Sequence, residues 1–410
     1  MEFVADFHIH SKYSRATSRN MDVPNLAKWA QLKGITLLGT GDFTHHLWLQ
    51  ELKKYLEPQD KKGLYSYQGI NFILSAEISS IYSQRGKTYR VHNVILVSSF
   101  KIAEQINKML ASYGNISSDG RPILGISCNK LAEELFRISQ DIMLIPAHIW
   151  TPWFSVFGSR SGFNSLEEAF DKYTDKLTAL ETGLSSDPAM NWRISALDKF
   201  SLVSNSDSHS PSRIGREANV FNCAIDYWEI KKVLENKDKS KFLYTVEFFP
   251  EEGKYHYDGH RSCNQRFSPQ QTKEHQGICP VCSRPLTKGV LSRVEELADR
   301  PEGFIPEGAI GYKNLVPLDE IIAEVKGTSK ASKAVEKEYL DIIYNTGSEF
   351  DILVKMSEAE LFSRLPEKVA EGIKRVRQKH LKLIPGYDGE YGIIKLFEEE
   401  PKQSQQFTLF

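Results

Sequence analysis

The chain has 410 residues, 40% of them hydrophobic and 26% charged, and a formal net charge of −1. That length holds one large domain with one or two smaller ones, and near-neutral charge excludes a uniformly basic nucleic-acid binder, so any such groove must be local. No run nears the roughly 18 apolar residues of a membrane span, and the N-terminus enters a strand without a signal-peptide pattern, so we expect a cytoplasmic protein with no membrane partner.

Up to about residue 235, short β-branched runs alternate with helical stretches. Strands are expected at 3–7, 35–38, 72–76, 91–97, 143–146, 177–180, 202–204 and 218–221, with helices at 23–32, 48–55, 103–112, 129–139 and 188–199. Such alternation argues an α/β fold with a mainly parallel sheet, and seven or eight units argue a closed βα barrel. A polar stretch opening at Asn236 suggests a boundary near 240. Residues 251–290 are rich in His, Cys, Gly and Pro, too poor in large apolar side chains to build a core unaided. Helices resume at 291–299, 317–325, 329–345 and 366–380, before a polar, Gln-rich end. The expected domains are therefore a barrel over 1–240, a small zinc-binding domain over 241–292, a helical C-terminal region over 293–395 and a tail over 396–410.

Ionisable residues recur where expected strands end. His8 and His10 follow the first strand, Asp42 the second, and Glu77, His92 and His148 accompany later ones. Asp207 and His209 follow the run at 201–204. In a barrel of βα units these strand ends form the active face. Imidazole suits zinc or manganese, and a carboxylate can bridge two cations, with magnesium an alternative occupant. Downstream, Arg213 and Arg216 are placed to grip a phosphate bidentately. Trp150, Trp153 and Phe154 follow His148, as a stacking surface or a pocket wall.

These motifs resemble the PHP (polymerase and histidinol phosphatase) domains, distorted βα barrels that bind two or three metal ions for phosphoester hydrolysis. His8 and His10 match the family's His-x-His, Glu77 its bridging acid, and Asp207 with His209 its Asp-x-His. Gly41-Asp42-Phe43 stands where the family usually has Thr-Asp-His, so Asp42 is expected to replace a histidine. Ala16 occupies a position where many members carry another histidine, and His45 is an alternative ligand. The resemblance implies that His8, His10, Glu77 and Asp207 hold one ion, that Glu77 bridges to a second at His92 and His148, and that Asp42 and His209 hold a third. Asp207, Glu77 and His10 would carry the catalysis.

His260-x2-Cys263 and Cys279-Pro280-Val281-Cys282 form two paired corners with the spacing of a closed structural zinc site. His256 and His275 remain substitutes for His260. The helix expected at 366–380 carries Lys374, Arg375 and Arg377, which are candidates for DNA contact. The terminal Gln406-Phe407-Thr408-Leu409-Phe410 resembles the bacterial sliding-clamp-binding peptide, a short segment with apolar anchors.

A PHP-type barrel followed by a His/Cys3 knuckle and a basic helical region resembles the endonuclease Q family over almost the whole chain. The stretch from Tyr255 to Arg261, with Cys279 to Cys282, is its most specific part. The resemblance implies repair of deaminated DNA by nicking on the 5′ side of uracil, hypoxanthine, xanthine or an abasic site, leaving 3′-hydroxyl and 5′-phosphate ends. Rival readings are a small-molecule phosphoesterase, a DNA exonuclease and a non-enzymatic, clamp-tethered DNA-binding scaffold.

Overall fold

A computed structural model describes residues 2–84 and 86–397. Its centre is a distorted barrel of mixed strands. We number them β1 (Glu2–Asp6), β2 (Leu37–Gly39), β3 (Ile70–Gln84), β4 (Lys87–Val97), β5 (Met143–Pro146), β6 (Ala179–Glu181), β7 (Ser201–Val203), β8 (Ala218–Asn222) and β9 (Phe242–Glu247). The ladder runs β1–β2–β3 in parallel, then β3–β4 and β4–β5 antiparallel. β6 and β7 are parallel, and Thr178 N–H donates to Leu144 O at 3.0 Å to join this pair to β5.

The sheet is less parallel than the alternating pattern implies. β3 and β4 form one long hairpin with no helix between them. Polar residues at Ser75, Glu77, Ser79 and Ser80 break its apolar run, so only part of each strand is legible as one.

Closure of the ring assembles the site. A parallel bridge pairs Ile9 with Ser208, just beyond the ends of β1 and β7, and His10 N–H donates to Ser208 O at 2.9 Å. Below that bridge β8 lies antiparallel to β1. The buried Asn219 side chain stitches β8 to the chain after β7, accepting from Ser204 N–H (3.0 Å) and donating to Ser204 O (2.7 Å). One amide thus supplies the donor and acceptor that a missing ladder rung would have provided.

Helices cover the barrel, among them α1 (Val23–Lys33), α2 (His46–Tyr55), α3 (Phe100–Leu110) and α4 (Cys128–Ile138). Asp22 caps α1 by accepting from Asn25 N–H, Pro24 sits in its first turn, and Gly34 ends it in the left-handed region. Ser99 and Ser127 cap α3 and α4 in the same way. No helix among the described residues is long and apolar enough to cross a membrane.

The sheet continues past the boundary expected at 240. β9 pairs with β8, and Gly311–Asn314 pairs with β9. The polar stretch after Asn236 is the turn that leads a helix back into the sheet, rather than a linker. The knuckle is a hairpin of Asp258–His260 with Gln265–Phe267, followed by a short helix, Pro269–Glu274. Phe267, Cys279 and Leu286 are its whole buried cluster. Beyond it, α5 (Leu318–Lys326), α6 (Lys333–Thr346) and α7 (Glu367–Arg377) pack as a helical unit. Its anchor on the barrel is the buried pair Lys33–Glu349 at 2.5 Å.

Candidate metal centre

Barrel closure brings six residues into one cluster: His8, His10, His148 and Asp207 from just beyond strand ends, and Glu77 and His92 from within β3 and β4. His8, His10, Glu77 and Asp207 have ligand atoms all within 4.8 Å of one another, and so do Glu77, His92 and His148. The shared carboxylate divides between the groups. Glu77 Oε2 lies 3.5 Å from His8 Nε2 and 3.3 Å from His10 Nε2, whereas Oε1 lies 2.6 Å from His92 Nδ1 and 3.1 Å from His148 Nε2. Asp207 Oδ1 completes the first group, 3.1 Å from His10 Nε2 and 3.7 Å from His8 Nε2.

His8 Nε2, His10 Nε2 and Asp207 Oδ1 are buried and make no hydrogen bond. Converging, unsatisfied imidazole and carboxylate atoms are costly unless a cation takes them up. Four imidazoles or carboxylates in one group and three in the other, with one acid shared, fit two divalent cations.

The backbone is bent to aim these groups. Asp42, His148 and Asp207 have φ of +48°, +29° and +46°, a region non-glycine residues seldom occupy. Behind His148, a Cβ on Gly183 would come within 2.4 Å of the His148 Cβ, so only glycine fits there.

Buried carboxylates stand behind both histidines of the first motif. Glu181 lies 3.0 and 3.1 Å from His8 Nδ1, and Asp42 Oδ1 lies 3.0 Å from His10 Nδ1. A carboxylate accepts only, so each Nδ1 carries the proton and each Nε2 presents a lone pair to the cation position. Burial opposes charge on His8, yet Glu181, Glu77 and Asp207 hold its pKa well above the usual value. Burial likewise opposes charge on His10, where Asp42 and the other acids prevail. His92, by contrast, is pushed down to about 4, chiefly by burial. Asp6, which accepts from Ser206 N–H and Gly215 N–H, is pushed up to about 6 by burial.

A third group with Asp42 is not assembled among the described residues. Asp42 is instead saturated by protein donors. Its Oδ2 accepts from Ser11 N–H (2.6 Å), Ser11 Oγ (2.7 Å) and Ser14 Oγ (2.9 Å), while Oδ1 serves His10. It orients a ligand rather than being one. His209 packs its ring 4.5 Å from that of His10 and its Nδ1 lies 2.9 Å from Asp207 O. His45 stacks on Tyr13, with Nδ1 buried and unpartnered.

The arginines expected to grip phosphate are otherwise engaged. Arg213 pairs with Asp319 (2.9 Å) and Glu320 (3.1 Å), and Arg216 donates twice to Ser206 O. On α7, Lys374 pairs with Glu358 and Arg375 with Glu371. Arg377 donates to the carbonyls of Ile352, Leu353 and Met356, so it closes the end of a neighbouring helical turn. Trp150 is a core residue donating to Asn191, whereas Phe154 packs 4.8 Å from the His92 ring and Trp153 meets Tyr255 edge-on. Gln406, Phe407, Thr408, Leu409 and Phe410 lie outside the described residues.

In the knuckle, His260, Cys263, Cys279 and Cys282 converge with ligand atoms within 4.8 Å. His256 is buried elsewhere, and the His275 ring packs on Phe267. Burial pushes the Cys279 thiol up, but the Cys282 and Val281 N–H groups more than offset it, and its pKa falls to about 7.

Sequence reasoning missed Glu181, Asp6 and Arg121, whose guanidinium lies 3.2 Å from Glu77 Oε2. Glu181 ends a strand as the ligands do, a signal that was there to be read; Arg121 lies in a loop that carries none.

A sequence-family model described as the MJ0043 C-terminal domain matches residues 317–380. Among curated proteins, the uncharacterized MJ0043 of Methanocaldococcus jannaschii is 35% identical over 257 residues, 60% of this chain. The match takes in only 31% of that archaeal protein. The uncharacterized YqxK of Bacillus subtilis is 29% identical and covers 95% of this chain and 98% of its own. Among solved structures, the lesion-specific endonuclease PfuEndoQ from Pyrococcus furiosus superposes with a TM-score of 0.87 at 34% identity, over 97% of this chain and 96% of that one. A structure of endonuclease Q with a 27-mer duplex, an abasic lesion at its active site, gives 0.83 at 34% identity, over 97% and 98%.

Proposed function

Since the chain belongs to the endonuclease Q family, we propose that it is a metal-dependent DNA repair endonuclease that hydrolyses the phosphodiester on the 5′ side of deaminated bases (uracil, hypoxanthine, xanthine) and abasic sites. The products are a 3′-hydroxyl and a 5′-phosphate. The observation that carries this reading is the split Glu77 carboxylate, flanked by buried, unpartnered ligand atoms, in a chain that matches a lesion-bound nuclease end to end. When bound, zinc, magnesium or manganese would acidify a water and neutralise charge building on the phosphate.

The chain's own residues supply geometry. Asp42 and Glu181 fix the tautomers of His10 and His8, and Glu77 holds the two groups at one spacing. Phe154 shields the His92 side of the cluster. A damaged base is reached by flipping it from the stack, cheapest where pairing is already weak. The knuckle's His260, Cys263, Cys279 and Cys282 suit zinc, whose binding would stabilise a module with almost no core of its own. The Gln406–Phe410 peptide resembles the sliding-clamp-binding segment, and this reading takes the clamp as a partner of a cytoplasmic, DNA-associated protein.

The test uses supercoiled plasmid with and without scattered uracil, in divalent metal, followed by end mapping on a labelled duplex. We expect nicks only in the uracil plasmid, on the lesion's 5′ side. Deleting residues 406–410 should abolish clamp binding and leave oligonucleotide nicking intact. Turnover of small phosphoesters with neither plasmid nicked would make the barrel a phosphatase, and degradation that requires free ends would make it an exonuclease.

A further inference from the structure

Residues 114–122 cross the barrel beside the metal centre and are fastened to both of its first motifs. Gly120 N–H donates to Tyr13 O at 3.1 Å, and Thr44 Oγ1 donates to Gly120 O at 3.0 Å. A Cβ on Gly120 would lie 2.3 Å from Asp42 Oδ2 and 2.3 Å from Ser14 Oγ, so the strap can sit this close only as glycine. On one side Asp119 is held by Arg15, and on the other Pro122 O accepts from Ser79 N–H before Ile123 pairs with β3. Between those anchors sits Arg121.

Arg121 is, among the described residues, the one arginine or lysine ion-paired with a ligand of either group. Its Nη1 donates to Glu77 Oε2 at 3.2 Å. Asp207 adds to the field that favours its charge. The Arg121 guanidinium makes no further hydrogen bond with the described protein, and the side chain is 28% exposed. A buried structural arginine normally spends its whole fork on protein acceptors, as Arg377 does on three carbonyls. Arg121 spends one nitrogen on the bridging acid and leaves the rest open. A planar fork beside a metal centre, on a partly exposed side chain with hydrogen-bond capacity to spare, is suited to an oxygen of a phosphate.

We propose that Arg121 is a phosphate-binding residue of this centre, its free guanidinium edge donating to a non-bridging oxygen of the scissile phosphodiester while Nη1 stays on Glu77. This rests on the phosphodiesterase reading above. Arg121 does the work expected of Arg213 and Arg216, which are committed to Asp319, Glu320 and Ser206.

The test compares metal-loaded wild type with Arg121→Ala and Arg121→Lys. Three readouts are taken: divalent-metal content by mass spectrometry, affinity for inorganic phosphate by calorimetry, and single-turnover nicking of an abasic-site duplex. For Arg121→Ala we expect unchanged metal content, phosphate affinity down by about tenfold or more, and nicking down by roughly 10²–10³-fold, the usual loss of one preorganised donor. Arg121→Lys keeps a charge on Glu77 without the fork, and covers the case in which alanine unfolds the strap. It should keep its metal and still bind phosphate at least about threefold more weakly than wild type. Unchanged phosphate affinity in both variants overturns the proposal. So does a loss of metal that accounts for the loss of nicking, since Arg121 would then be only a counter-charge for Glu77. Failure of the wild type to nick any DNA, with the phosphate difference intact, removes the endonuclease reading and leaves Arg121 as a phosphate ligand.

Discussion

Asp42 shows how a single carboxylate is defined by its donors. Four protein groups point at its two oxygens, three of them at Oδ2. In Asp42→Asn an NH2 must face either those three donors or the His10 Nδ1 proton. Leaving buried donors unpaired costs about 1–3 kcal/mol, and loosening a ligand's orienting partner typically costs about 10–100-fold in metal affinity. We therefore expect Asp42→Asn to melt lower and bind divalent metal more weakly; metal affinity equal to wild type in a titration would show that Asp42 does not position His10. Elsewhere in the barrel, Glu217 and Glu247 are buried acids that form no ion pair among the described residues. Burial pushes Glu247 up to about 8, and burial with the Glu247 charge pushes Glu217 well above the usual carboxylate range. Both pKa values are raised on folding, so the folded state holds protons that the unfolded chain releases above about pH 4.5. Stability from this pair is present at low pH and lost as pH rises toward 8. Glu217→Gln should come closest to wild type near pH 4 and gain on it as pH rises, melting higher by about 2 °C or more at pH 8.5; parallel melting curves across that range would refute the shared burial cost.

At the scale of elements, the knuckle and the strap are held by opposite means. The strap has backbone hydrogen bonds at both ends and one glycine contact that admits no side chain. The knuckle has three buried residues and four converging metal-type ligands. Its links to the rest include Asp258, which accepts from Gly289 N–H and Ser292 Oγ, both at 2.6 Å, and exposed polar contacts of Arg261, Asn264, Arg266 and Lys273. Folding of residues 258–287 is therefore expected to depend on its metal, while the barrel's does not. Cys279→Ser should lose about one equivalent of bound metal and become protease-sensitive within 258–287, with barrel melting little changed. Full protease resistance in the metal-stripped variant would mean that packing alone holds the knuckle.

At the scale of the whole molecule, the helical unit reads one face of the barrel through buried charge. Lys33, at the end of α1, meets Glu349, which also accepts from Tyr339 Oη (2.7 Å) and Leu318 N–H (3.0 Å). Burial raises the Glu349 pKa, but Lys33 and these donors outweigh it and the acid stays charged. Removing one partner of such a pair typically costs about 3–5 kcal/mol, because the other is left buried and alone. Lys33→Met should be destabilised on that scale, and adding Glu349→Gln should recover a large part. A double variant no more stable than the single in chemical denaturation would show that packing of α5 and α6, not charge, joins the two units. Arg213 spans the same junction to Asp319 and Glu320, so residues downstream of the metal motif are used to fasten domains.

Strand-to-loop alternation and ligand spacing are written locally, so most strand ends and the four knuckle ligands could be read from the chain alone. His8, His10, His148 and Asp207 were legible in that way, and His260, Cys263, Cys279 and Cys282 by spacing, whereas Glu77 and His92 lie inside the β3–β4 hairpin rather than at strand ends. What stands behind each of these residues depends on contacts far apart in the chain. His8 meets Glu181 across 173 residues, and Glu77 meets Arg121 across 44, through a ring closure and a loop crossing that no local pattern records. The same closure turned Asp42 from a ligand into a support, and committed Arg213, Arg216 and Arg377 to the protein itself. A charged side chain's role is set by whichever opposite charge or open donor lies within about 4 Å, and that distance exists only once the chain has folded.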